Sequence, residues 1–295
     1  MAAKSAVHKR NPDRTNTAEN TTCPTCGNSI NKNFCEVCGE KKLNRHDFSL
    51  RHFVEETFEG FTHFDNKFFR TARLLIFKPG QLSIDFYEGR RVPYMKPFPM
   101  FIICNILLFM IVGKTNIFSQ PLTSFLQYTP YTYFGTKEVI LSFVKSDAEF
   151  EILATQFNQR MGVEAKAFLA IFIPILALGS WVVNYSRRKY FSEHLVFSTH
   201  YFTVMVMLYT VWALLVSRPY TAWFDPEESS RIADRVSGFV SILILAVYFS
   251  ISSKKFYKIS WARSILGSVI ITLVFMGSLI AYRTLLFYKI IYSLH

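Results

Sequence analysis

Five apolar stretches, 98–113, 167–185, 195–217, 236–252 and 265–287, set what this chain can become. Each is long enough, or nearly so, to cross the roughly 30 Å of hydrocarbon in a bilayer, the first and fourth being on the short side. The whole chain is 51% hydrophobic and 17% aromatic, with 30 Phe, which is too apolar for an ordinary soluble domain. The expected class is an all-α integral membrane protein with about five transmembrane helices in a domain covering 98–295.

Ahead of the spans stand two short repeats, Cys23-Pro24-Thr25-Cys26-Gly27 and Cys35-Glu36-Val37-Cys38-Gly39. The spacing Cys-x2-Cys-x8-Cys-x2-Cys suits two tight turns that aim backbone amides at thiolates around one tetrahedral ion. The reading is a structural Zn²⁺, one per chain, held by Cys23, Cys26, Cys35 and Cys38 in a ribbon spanning 22–42. Four thiolates leave no open coordination position, so the ion is expected to hold structure and not to catalyse. A segment this short cannot bury a core, and the metal supplies most of its folding free energy. Disulfides are the competing reading, weakened if the head faces the reducing cytosol. A redox Cys-x-x-Cys would need a βαβ context, which the flanking sequence lacks. The fifth cysteine, Cys104, falls within an apolar run, where it acts as a small hydrophobe.

The polar start, 1–21, is expected to be a disordered cytosolic tail, since no apolar run of signal-peptide length follows it. Residues 43–97 read as an amphipathic juxtamembrane arm. Val54, Phe58, Phe61, Phe68, Ala72 and Leu75 recur at roughly helical steps, broken at Gly60, with Asp65 a candidate cap for a second helix. Lys67, Arg70, Arg73 and Lys78 lie among the Phe residues, so the arm either lies in the headgroup plane or packs its rings on the bundle. Pro79-Gly80 ends that helix, and 81–87 can form another before Gly89-Arg90-Arg91.

Loop charges orient the spans. Arg90, Arg91 and Lys96 precede the first; Arg187, Arg188 and Lys189 lie between the second and third; Lys254, Lys255, Lys258 and Arg263 lie between the fourth and fifth. The opposite loops are not basic: 114–166 carries five basic and five acidic residues, and 218–235 three against four. The positive-inside rule then places the N-terminus in the cytosol and the C-terminus outside, in agreement with a reduced cysteine head. Much of the net charge of +12 is orientation signal, so a nucleic-acid partner is not expected. The cluster Lys41, Lys42 and Arg45 fits phosphate or an anionic membrane surface equally well.

Ionisable residues inside a membrane are functional candidates. Glu193 and His200, seven apart near the start of the third span, share nearly one face as a candidate acid–base pair or metal site, with His194 about a third of a turn away. Interfacial hydrogen bonding is the plainer alternative. Arg283 is expected to snorkel outward with Lys289 or to meet a carboxylate of the outer loops. Asn105 is a typical interhelical hydrogen-bond residue, and Pro174 should kink the second span. The segment 114–166, with a helix around 137–160, is expected to cap the bundle.

The order of cysteine knuckles, Phe-rich arm, Phe64-Asp65-Asn66-Lys67-Phe68-Phe69-Arg70-Thr71, Lys78-Pro79-Gly80, Gly89-Arg90-Arg91-Val92-Pro93-Tyr94 and Pro97 resembles a family of zinc-ribbon, multi-pass membrane proteins. That family, common in Bacteroidetes-type bacteria, is catalogued as a domain of unknown function. Glu193-His194-Leu195-Val196-Phe197 with His200 resembles the family's pattern at a middle span. The resemblance implies a bacterial cytoplasmic-membrane location and supplies no reaction.

No nucleophile, acid–base pair or phosphate loop matches the knuckles in strength. The leading expectation is therefore a non-enzymatic scaffold or regulator that recruits a cytosolic protein at the zinc ribbon. A small-solute or ion transporter, which five spans would support as an oligomer, is the first alternative. A membrane enzyme acting on lipid or quinone through Glu193 and His200 is the second.

Overall fold

The computed structural model describes residues 21–30, 33–43, 47, 49, 67–111, 118–185, 187, 190–217, 219 and 226–294, with the side chains of 21, 217, 226–238 and 241 outside that description. The expected tail, Thr21 apart, and the arm helix expected from Val54 with its Asp65 cap lie outside these residues.

A short antiparallel hairpin comes first among the described residues. Strands β1 (Thr21–Thr22) and β2 (Ser29–Ile30) pair Thr21 with Ile30 and Thr22 with Ser29. Helices follow: α1 (Lys67–Phe77), α2 (Gln81–Tyr87), α3 (Pro97–Ile111), α4 (Leu122–Gln127), α5 (Thr129–Thr132), α6 (Thr136–Phe143), α7 (Asp147–Ala167), α8 (Phe172–Val183), α9 (Phe191–Trp212), α10 (Pro226–Tyr257) and α11 (Trp261–Ser293). In the bundle α9 packs on α3 and α8, and α11 packs on α10 and α8.

Two of these rods, Phe191–Val216 and Trp261–Ser293, are long and apolar enough to cross a membrane among the described residues, and the bent pair Asp147–Ala167 with Leu169–Val183 adds a third only if it forms a single span. The sequence reading counts five. For two of the stretches the difference has a physical cause, while 236–252 falls in a helix that is only partly described. α3 has 15 residues, which at 1.5 Å each gives about 22 Å, short of the hydrocarbon thickness. Within 167–185 the helical part is Leu169–Val183, about 22 Å long, and the axis turns by 47° at its start, where it meets α7. The stretch 236–252 lies inside α10.

The bend falls at Phe168, where α7 gives way to one tight turn, Leu169–Ile171, that leads into α8. The kink expected at Pro174 is not where the axis turns: Pro174 lies six residues further on, in the first turn of α8, where a helix tolerates the missing N–H. The last carbonyls of α7 then lack intrahelical donors, a costly state away from water. Two side chains supply donors: Tyr282 OH to the Ala165 carbonyl at 3.0 Å and Asn105 Nδ2 to that of Lys166 at 3.3 Å.

Between the helices the core is dense in rings. Phe101, Phe118, Phe172 and Phe202 are fully buried, with the 101–202 and 172–202 pairs at 5.6 Å and the 118–172 pair at 6.1 Å. In lipid there is little hydrophobic force between helices, so close contact of this kind holds them together. The segment 118–166 caps the bundle: Phe118, Leu122, Phe125, Ile140 and Phe157 are all buried in that core. The expected helix around 137–160 is two, α6 and α7, separated at 144–146, where the Ser146 hydroxyl accepts the Glu149 N–H and caps α7. Arg283 does not snorkel. It is buried and its guanidinium donates to Tyr131 OH at 2.9 Å, while Lys289 pairs with Glu164 at 2.6 Å.

Between head and bundle, the described part of the arm packs on the helices. Phe68, Leu75, Leu82, Phe86 and Met95 join the main core. The Thr71 hydroxyl donates to Lys67 O and accepts the Met95 N–H at 2.9 Å, tying the two ends of this stretch together. Gly80 makes the turn into α2 with φ 76°, and a Cβ there would lie 2.6 Å from the carbonyl oxygen of Ser252 in α10. Glycine is what lets the arm sit this close.

Candidate metal centre

Each knuckle closes on itself in the same way. The Cys23 N–H donates to Asn28 O at 2.7 Å and the Gly27 N–H to Cys23 O at 2.9 Å; in the second knuckle Cys35 donates to Glu40 O at 2.8 Å and Gly39 to Cys35 O at 2.9 Å. Gly27 and Gly39 adopt φ 79° and 74°, the left-handed turn that the glycine after each pair makes possible. The hairpin carries the first knuckle, and a bridge between Phe34 and Lys41 closes the second.

These turns bring all four sulfurs within 4.8 Å of one another. Cys23 Sγ lies 3.5 Å from Cys38 Sγ, and Cys26 Sγ lies 3.5 Å from Cys35 Sγ, with every thiol free. A tetrahedral thiolate centre with metal–sulfur bonds of about 2.3 Å has sulfur–sulfur edges of about 3.8 Å, so the cluster fits a metal ion. Among the described residues, this is the group of Cys, His, Asp or Glu side chains gathered closely enough to hold one.

The thiols differ in how easily they ionise. The Asn28 backbone and its side-chain amide, 3.5 Å from the sulfur, hold Cys26 down to about 6. At Cys38 the Glu40 backbone N–H also favours the thiolate, but desolvation and the neighbouring sulfurs push it up to about 12. Four thiolates this close repel one another unless a cation lies between them, so the first proton leaves readily and the last does not.

The head is moored to the arm by a residue with no motif behind it. Glu40 is 2% exposed, and its Oε2 accepts the Thr25 hydroxyl at 2.6 Å and the N–H groups of Arg91 and Val92 at 3.0 Å each. The turn that presents those N–H groups is organised by Asp85, also buried, which accepts from Gln81 at 2.7 Å, Arg90 at 2.6 Å and Tyr94 OH at 3.1 Å. Burial and the Asp85 charge push the Tyr94 phenol up. Arg91 lies over the Phe86 ring at 4.7 Å and Gly89 packs against Leu43 and Pro24. Arg90 and Arg91, which the sequence offers as orientation charges, thus also build the dock. Lys41 is paired with Asp47 at 2.5 Å, while Arg45 lies outside the described residues.

Glu193, His194 and His200 are all buried in α9. Glu193 and His200 stand two turns apart, about 10 Å along the axis, too far to share one ion. His200 instead meets Ser83 of α2, Nδ1 to Oγ at 2.9 Å, beside a cavity of about 10 Å³ lined also by Lys78, Tyr201 and Tyr248. That is room for about one water. His194 Nδ1 is 2.9 Å from Tyr257 OH, which is 2.7 Å from Ser180 Oγ, linking α9, α10 and α8.

Fold and site together define a mostly helical, membrane-type protein with a cysteine cluster able to hold a metal ion. Residues 65–109, running from just before α1 into α3, match the family model described as Protein of unknown function (DUF3667), which bears out the resemblance to a domain of unknown function over that stretch. No curated protein and no solved structure matches the chain.

Proposed function

We propose that the chain is a scaffold or regulator in a bacterial cytoplasmic membrane, holding a zinc-bound ribbon at the cytosolic face where it recruits a protein partner. The observation that carries this reading is the Glu40 mooring: a buried carboxylate fixes the head to the turn before α3 through two backbone N–H groups. A head so fixed offers a surface at a set place. Phe34 and Val37 of the second knuckle remain exposed on it, at 55% and 69%. Four sulfur donors favour zinc among the common divalent ions, in a compartment that keeps thiols reduced. Five helices cross the bilayer in this reading, α3 and α10 included, with the N-terminus inside and the C-terminus outside as the basic loops direct.

The test is affinity purification of the full-length protein from mild detergent, comparing wild type with C35S/C38S. The double variant is expected to lose zinc and the wild-type set of co-purifying cytosolic proteins while its helices still insert. An unchanged set with the metal gone would refute recruitment by the head.

A further inference from the structure

We propose that the outward face of α1 (Lys67–Phe77) is a binding site for the headgroups of anionic phospholipids. The inference rests on the membrane reading above. At about 100° per residue, Phe68, Thr71 and Leu75 fall on one side of the helix, and they are its buried residues. Phe69, Arg70, Arg73 and Phe77 fall on the other side and are exposed, the two rings at 71% and 76%. α1 carries Lys67, Arg70 and Arg73 with no Asp or Glu, and an exposed Lys78 follows it. Arg70 and Arg73 have no carboxylate partner among the described residues.

The position of the helix fixes the depth of this face. Tyr248 OH of α10 donates to the Leu75 carbonyl at 2.7 Å, and Gly80 abuts the backbone of Ser252. α1 therefore runs beside the C-terminal end of the apolar stretch 236–252, just before Lys254 and Lys255. Lys254 lies 4.7 Å over the ring of exposed Trp261, a cation with an aromatic of the kind found at headgroup level. Rings that reach the acyl boundary and cations that reach phosphate are what this level demands. Anionic lipid satisfies both at once.

The experiment is native mass spectrometry of the full-length protein released from micelles containing phosphatidylglycerol and phosphatidylcholine. Wild type is expected to retain phosphatidylglycerol in preference. R70Q/R73Q should weaken that retention about thirtyfold, as for two cations acting near a charged surface. R70K/R73K should restore most of it, and K137Q in the capping segment should change nothing. Equal retention of the two lipids by wild type, or undiminished phosphatidylglycerol on R70Q/R73Q, would overturn the proposal with the membrane reading intact. Release of the chain from native membranes by alkaline carbonate would instead sink the membrane reading itself.

Discussion

Replacing Glu40 by Ala isolates the mooring between head and arm. The change leaves the Arg91 and Val92 N–H groups without their acceptor in a place where Glu40 is almost wholly buried. An unmade buried donor costs about 1–3 kcal/mol; at about 1.5 kcal/mol for each of two, the docked state loses about 3 kcal/mol, or about 150-fold. Amide hydrogen exchange on the full-length protein in detergent, followed in peptides covering 86–95, reads this directly. The E40A variant should exchange faster at Arg91 and Val92 by up to that factor. E40Q should fall between the two, because its amide oxygen still accepts without the charge. Metal content should not change, since no thiolate is touched. Unaltered protection of Arg91 and Val92 in E40A would refute the carboxylate as the mooring.

Lowering the pH should strip the metal, because each sulfur must shed a proton to bind it. Cys38, pushed up to about 12 without metal, competes first; Cys26, held down to about 6, contributes as a thiolate above that value and is lost as the pH falls through it. A zinc-release dye followed downward from about pH 8 should therefore show loss completed below about pH 6, and a flat response would contradict the thiolate centre. Gly80→Ala forces a side chain into a left-handed turn and against the Ser252 carbonyl, a cost of about 2 kcal/mol or more. A lowered thermal midpoint in detergent is expected, and an unchanged one would deny the close approach of α2 to α10.

Local pattern carried much of this architecture. The apolar runs foretold helix through 167–185, 195–217 and 265–287, Pro79-Gly80 foretold the break between α1 and α2, and the cysteine spacing foretold a four-sulfur cluster. Each of these is written within a few neighbouring residues. The contacts that define the site join residues far apart in the chain. Glu40 meets Arg91 and Val92 across some fifty positions, and Ser83 meets His200 across 117, and no period or motif announces either. Glu193 and His200 looked paired because they share a helical face, but sharing a face two turns apart does not bring side chains together. The arm offered two readings because its composition suits both; the structure packs one face of α1 and leaves the other outward.

The corner between α7 and α8 has the shape of a joint. Its two freed carbonyls, however, are stitched by Tyr282 from the last helix and Asn105 from the first of the bundle. Swinging α7 against α8 would tear both stitches at about 1 kcal/mol apiece, with no water at hand to replace them. The corner is thus a welded bracket, and a pump that flexed there would have to unpick it on every stroke.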